Sequence, residues 1–96
     1  MAQTIKLEVT DPVGLYLTPT NTLVTIANHY DSDIHLLYDK KSVNLKSMMA
    51  VISLGVPTKA ILSIEADGED EKQAIDQIKN TITSEDIGVL LYENND

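Results

Sequence analysis

The hydrophobic period of this chain switches repeatedly between two residues and about 3.6, and that switching sets the class of fold it can reach. Ile5, Leu7 and Val9 alternate with Lys6, Glu8 and Thr10, the pattern of a half-buried strand, until Asp11-Pro12-Val13-Gly14 breaks it. Between Pro19 and about Asn28, Leu23, Val24, Ile26 and Ala27 recur at helical spacing, with Pro19 suited to the first turn. Ile34, Leu36 and Tyr38 alternate again after the Asp31-Ser32-Asp33 turn, and Val43 and Leu45 follow the turn at Asp39-Lys40-Lys41-Ser42, so this stretch reads as a hairpin. Ser47 opens a short helical run to about Leu54, closed by Gly55 and Pro57. Ala60-Ile61-Leu62-Ser63-Ile64-Glu65-Ala66 is a fourth strand. A helix from about Asp70 to Ser84 buries Ala74, Ile75, Ile78 and Ile82, with acids crowded at its start as the macrodipole favours.

The order βαββαβα predicts an α+β fold, an open-faced β-sandwich with a four-stranded antiparallel sheet covered by helices on one face. Residues 1–86 form that domain, and 87–96 make a C-terminal extension. The apolar middle of the extension, Val89-Leu90-Leu91-Tyr92, packs on the domain, with an added edge strand or association with another chain as the alternatives.

Ninety-six residues, 43% of them apolar, allow one core without staples, and the lack of cysteine removes disulfides and thiolate metal sites. No basic segment precedes an apolar run at the N-terminus, and no apolar stretch nears the roughly 18 residues of a membrane span. A cytoplasmic, membrane-free protein is expected. The net charge is −8 and all seven basic residues are lysines, so phosphate backbones repel the chain and direct nucleic-acid binding is not expected. A protein partner with a basic face fits better. Without arginine, the chain has no planar bidentate clamp for a phosphoryl group. His29 and His35 lie apart on regular elements with no paired carboxylates at ligand spacing, so neither a metal nor a cofactor is expected.

Two stretches carry the remaining information: Gly14-Leu15-Tyr16-Leu17-Thr18-Pro19, and the run from Val43 through Asn44-Leu45-Lys46-Ser47-Met48-Met49-Ala50-Val51-Ile52-Ser53-Leu54 to Gly55. With Thr10-Asp11-Pro12 and Ser32-Asp33-Ile34 at matching spacing, they make residues 3 to 85 resemble the HPr family of the bacterial phosphotransferase system. In that family the first loop reads G-L-H-A-R-P; its histidine takes phosphoryl from enzyme I and passes it to an enzyme II. Tyr16 stands at the histidine's place, Leu17 at that of the small residue and Thr18 at that of the arginine. A phenol titrates at about 10 and is a poor nucleophile at neutral pH, and its phosphoester is too stable to pass the group onward. The resemblance therefore implies a degenerate site at Tyr16, Thr18 and Pro19 with no catalytic residue, in a protein that is not an enzyme. Free N–H groups near Pro19, Thr20 and Asn21 still suit an anion, while Thr18 or Thr20 reads as a helix cap.

The second stretch matches the family closely. The resemblance makes Ser47 the acceptor for HPr kinase/phosphorylase, and the phosphorylated form a ligand for a CcpA-like transcription regulator, as in the histidine-less Crh branch. A serine at a helix N-cap places its phosphate at the positive end of the dipole, with Lys46, Lys40 or Lys41 positioned to soften the charge. Met48, Met49 and Ile52, with Lys46 and Thr20, form the expected docking surface, to which adaptable methionines are suited. The function implied is an HPr-like regulatory protein acting by protein–protein binding in sugar transport or carbon catabolite control. The alternatives are a divergent HPr-like binding domain with another partner, its serine only structural, and a degenerate phosphocarrier that still meets enzyme I or enzyme II. Thr18 departs from the Crh branch, which keeps the arginine of the first loop.

Overall fold

The computed structural model describes residues 2–94; Met1, Asn95 and Asp96, at the outer ends of the two expected segments, lie outside the described residues. The elements are β1 (Gln3–Val9), α1 (Leu17–Ala27), β2 (Asp33–Tyr38), β3 (Lys41–Asn44), α2 (Met48–Ser53), β4 (Ile61–Asp67), α3 (Glu71–Ser84) and β5 (Gly88–Asn94). They build one sheet in the order β3-β2-β4-β1-β5, with every neighbouring pair antiparallel. The α+β class and the open-faced antiparallel sheet are as expected, but the sheet has five strands and not four.

Alternation decides which face is covered. Ile5, Leu7 and Val9 of β1, Leu62, Ile64 and Ala66 of β4, and Ile34 and Leu36 of β2 all point to one side and are at most 2% exposed. The residues between them, Lys6, His35, Leu37 and Ile61 among them, form the other, open face. On the covered face α3 lays down Ala74, Ile75, Ile78 and Ile82, none more than 1% exposed. Each isoleucine of this stripe contributes roughly 1.5–3 kcal/mol by leaving water. Leu23, Val24, Ile26 and Ala27 of α1, with Leu45 and Val51, complete the core.

The fifth strand follows from the chain beyond α3. Ile87 is buried, and its carbonyl accepts the N–H groups of Thr10 (3.0 Å) and Asp11 (3.3 Å). That anchor turns residues 88–94 back along β1, where Gly88 faces Val9 and Asn94 faces Thr4. A register shift between Lys6 and Leu7 leaves Leu91 as the extra residue of a bulge. Lys79 of α3 reaches Glu93 of β5 at 2.6 Å, which ties the new edge to the helical layer. The start of α3 is tied as well: the Asp70 carboxylate accepts the Asp31 N–H at 2.8 Å, the Ser32 N–H at 3.0 Å and the Ser32 hydroxyl. Among the described residues no helix is long and apolar enough to cross a membrane.

Candidate functional site

The first loop is shaped by Asp11 and Gly14. One Asp11 carboxylate oxygen accepts the Val13 N–H at 3.0 Å, and its carbonyl accepts the Gly14 N–H at 2.9 Å. Gly14 has φ +85°, and a Cβ there would lie 2.5 Å from the Val56 carbonyl oxygen. This close approach lets the Leu15 N–H bond the same carbonyl at 2.9 Å. Tyr16 then takes the N-cap position of α1, but its side chain makes no capping hydrogen bond.

Three expectations for this loop need correction. Thr20 is 0% exposed and its hydroxyl donates to the Leu15 carbonyl at 3.3 Å, so it offers no surface to a partner. Neither Thr18 nor Thr20 caps the helix, because Tyr16 occupies that position. Pro19 has no N–H and that of Thr20 donates to the Tyr16 carbonyl at 3.1 Å. The N–H groups left without a helical acceptor are those of Leu17 and Thr18, two residues earlier than expected.

Beside Tyr16 lies a hollow of about 90 Å³ lined by Asp11, Tyr16, Thr18, Pro19, Thr22, Glu85 and Ile87. Asp11 and Glu85 bring carboxylates to it, and no lysine or histidine lines it. The two acidic residues disfavour an anion here, against the free N–H groups of Leu17 and Thr18 that favour one. Sequence reading missed Glu85, since only the turn after α3 brings it to the first loop. His29 sits just past the C-cap of α1, and His35 lies on β2 in register with Asn44 and Glu65.

Ser47 is the N-cap of α2, half-buried, with its Oγ accepting the Ala50 N–H at 3.2 Å. Lys46 is committed elsewhere: its Nζ donates to the Tyr30 carbonyl at 2.7 Å, and its own carbonyl accepts from Asn28 Nδ2 at 3.1 Å. Lys40 and Lys41 stand at the opposite end of β3 from Ser47, separated from it by the strand's ~10 Å. The Lys46 ammonium is thus already bonded, and Lys40 and Lys41 stand apart from Ser47. Of the expected docking side chains, Met49 is 81% exposed and Ile52 39%, whereas Met48 packs against the core. Leu17, at 66%, adds to the exposed apolar surface of these helices.

α1 and α2 run antiparallel. The end of α1 meets the start of α2 through Asn28 and Lys46, while Leu15, before α1, bonds Val56, after α2. Tyr16 and Ser47 therefore sit at opposite ends of α1, whose 11 residues span ~16 Å. That exceeds the ~8 Å screening length at physiological salt, so a charge at one end acts weakly on the other.

A family model described as the PTS HPr component phosphorylation site matches residues 3–84. The histidine-containing phosphocarrier protein of Mycoplasma is similar at 34% identity over 88% of this chain and 97% of that one, with a TM-score of 0.86. The Bacillus subtilis catabolite repression protein Crh, crystallised as a swapped dimer, matches at 36% identity over 80% and 88% of the two chains, with a TM-score of 0.67. Its solution structure matches at 39% identity over 78% and 89%, with a TM-score of 0.58. Matched along nearly all of the helix-covered sheet that positions both candidate sites, this chain belongs to the HPr family of the bacterial phosphotransferase system.

Proposed function

We propose that this HPr-family protein is a regulatory binding protein, switched by phosphorylation on Ser47 and carrying no phosphoryl relay. HPr-family proteins are phosphocarriers that meet the enzymes and regulators of sugar transport and catabolite control. The relay needs a nucleophile that gives a labile phosphoramidate, in a setting that welcomes the anion. The hollow at the first loop offers a phenol, a threonine and the Asp11 and Glu85 carboxylates. The observation that carries the proposal is Tyr16 at the N-cap of α1, a phenol where a relay needs an imidazole, with acidic Asp11 and Glu85 in the same hollow and no basic residue lining it.

Ser47 keeps the chemistry of a switch. Its hydroxyl stands at the positive end of α2, where the N–H groups of Met48 and Met49 precede the first helical bonds. A phosphate there adds nearly two negative charges beside the exposed Met49 and Ile52. By resemblance the modifying enzyme is HPr kinase/phosphorylase and the reader a CcpA-like regulator, both cytoplasmic. A second reading, a binding domain with another partner and a purely structural Ser47, draws on two observations: the Ser47 Oγ already bonds Ala50, and Lys46 and Thr20 are withdrawn from the docking set.

The test is incubation with HPr kinase/phosphorylase and ATP, and separately with enzyme I and phosphoenolpyruvate, followed by peptide mass mapping. Phosphate from ATP on Ser47, absent in Ser47→Ala, with none from phosphoenolpyruvate, is the expected result. Phosphate from neither donor would sink the switch and favour the second reading.

A further inference from the structure

β5 is the last strand in the order β3-β2-β4-β1-β5, so among the described residues only one of its edges is paired. Val89, Leu90, Leu91 and Tyr92 are 48%, 37%, 49% and 55% exposed, an apolar run in a strand without lysine or proline. The opposite edge of the sheet is built differently: β3 has four residues, and Lys41, Ser42 and Asn44 are exposed along it. The one charge in β5, Glu93, is drawn to Lys79 of α3 and does not guard the strand. We propose that the β5 edge pairs with β5 of a second copy of this chain, antiparallel about a twofold axis at the level of Leu90 and Leu91.

The bulge selects this partner. Val89 pairs with Glu8 and Tyr92 with Lys6, and both of these β1 residues alternate with the buried Ile5, Leu7 and Val9. The extra residue at Leu91 therefore puts Val89 and Tyr92 on the same open face of the sheet. A regular strand laid on this edge would lose its match of faces on passing the bulge. A second copy, bulged at the same place, keeps it. Val89 then meets Tyr92 of the second copy on the open face, and Gly88 meets Glu93 of the second copy on the covered face, the side of Val9 and Ile5.

Charge follows the same register. The open-face row runs from Glu8 through Val89 to Tyr92 and Lys6 of the second copy, and the twofold axis repeats it in reverse. Glu8 and the opposing Lys6 stand three strand spacings apart, ~14 Å. A lysine stem of ~6 Å brings the charges to ~8 Å, the screening length at physiological salt. Two couples of opposite charge thus flank the apolar pairs. An edge of seven residues buries less than the ~800 Å² per partner of a standard interface, so the dimer is a reversible one, with Kd on the order of 100 μM.

The experiment is sedimentation velocity of the full chain in 0.15 M salt, where the −8 charges are largely screened, with amide NMR spectra recorded on dilution. A dimer that grows with concentration is expected, with dilution shifts centred on residues 88–93. Leu91→Lys, which sets like charges on either side of the axis, should weaken it by about 10-fold or more. Leu91 is half exposed, so an unchanged melting temperature separates lost pairing from lost fold. Lys6→Glu and Glu8→Lys should each weaken self-association by about 5-fold. Their equimolar mixture should restore it, because each lysine in the mixed pair again meets a glutamate. A monomer up to ~1 mM, dilution shifts centred on Met49 and Ile52, or a mixture no stronger than its components would each overturn the proposal. So would a dimer that persists in Leu91→Lys, as one made by strand exchange would.

Discussion

Ser47 does two things with one oxygen, and they can be separated by substitution. Its Oγ accepts the Ala50 N–H, so Ser47→Ala removes a cap and should lower stability by about 1 kcal/mol in urea denaturation. Ser47→Asp keeps an acceptor at the positive end of α2 and should stay within about 0.5 kcal/mol of the parent. A larger loss for aspartate than for alanine would contradict this account. Asp70 secures a distant turn with a single side chain. The Ser32 hydroxyl bond, then the Asp31 N–H, hold its carboxyl below the ordinary value of 3.8. A carboxyl depressed in the folded state stabilises fully above its unfolded value, and the effect is lost as pH falls through the folded value. Asp70→Asn should therefore melt below the parent at neutral pH, and the gap should close in scans below about pH 3.8. A gap that stays constant to the acid limit would mean the bonds do not depend on the charge.

The elements themselves were largely legible, because β1, β2 and β4 alternate cleanly and the Ala74, Ile75, Ile78 and Ile82 stripe of α3 admits one helical face. β5 was not. Val89-Leu90-Leu91-Tyr92 is a continuous apolar run, and the bulge at Leu91 breaks the period of two by which a strand is recognised. The run is also 37–55% exposed, so its hydrophobicity does not mark a core. What places it is the covered edge of β1. Deleting residues 88–96 uncovers that edge and removes the Lys79–Glu93 pair, and should cost on the order of 2 kcal/mol. Because a bare edge strand invites pairing, the shortened chain should also associate with rising concentration in sedimentation velocity. A monomer at all concentrations would show that β1 protects itself. The first loop offers a sharper test: Gly14→Ala meets the Val56 carbonyl at 2.5 Å and should lose roughly 2–4 kcal/mol in the same urea assay.

At the scale of the whole molecule, the candidate site was half legible. Tyr16, Thr18 and Ser47 lie in contiguous motifs and can be read from them, whereas Glu85 reaches the hollow beside Tyr16 only through the turn after α3. The separation of Tyr16 from Ser47 by the length of α1 likewise needs the antiparallel helix pair, which no local pattern encodes. This matters for restoring a relay. A carboxylate brought to ~5 Å from a phosphoryl charge would oppose it by roughly 1–3 kcal/mol, depending on solvent access. Tyr16→His supplies a nucleophile but leaves that field in place. Incubated with enzyme I and phosphoenolpyruvate, Tyr16→His alone should gain no phosphate by intact mass. The combination of Tyr16→His, Thr18→Arg and Glu85→Gln, which adds a cation and removes a carboxylate, should gain it. Efficient transfer to the single variant would show that the acidic lining is not the barrier. Failure of the triple variant would move the barrier to docking, and with it the account of what this surface has become.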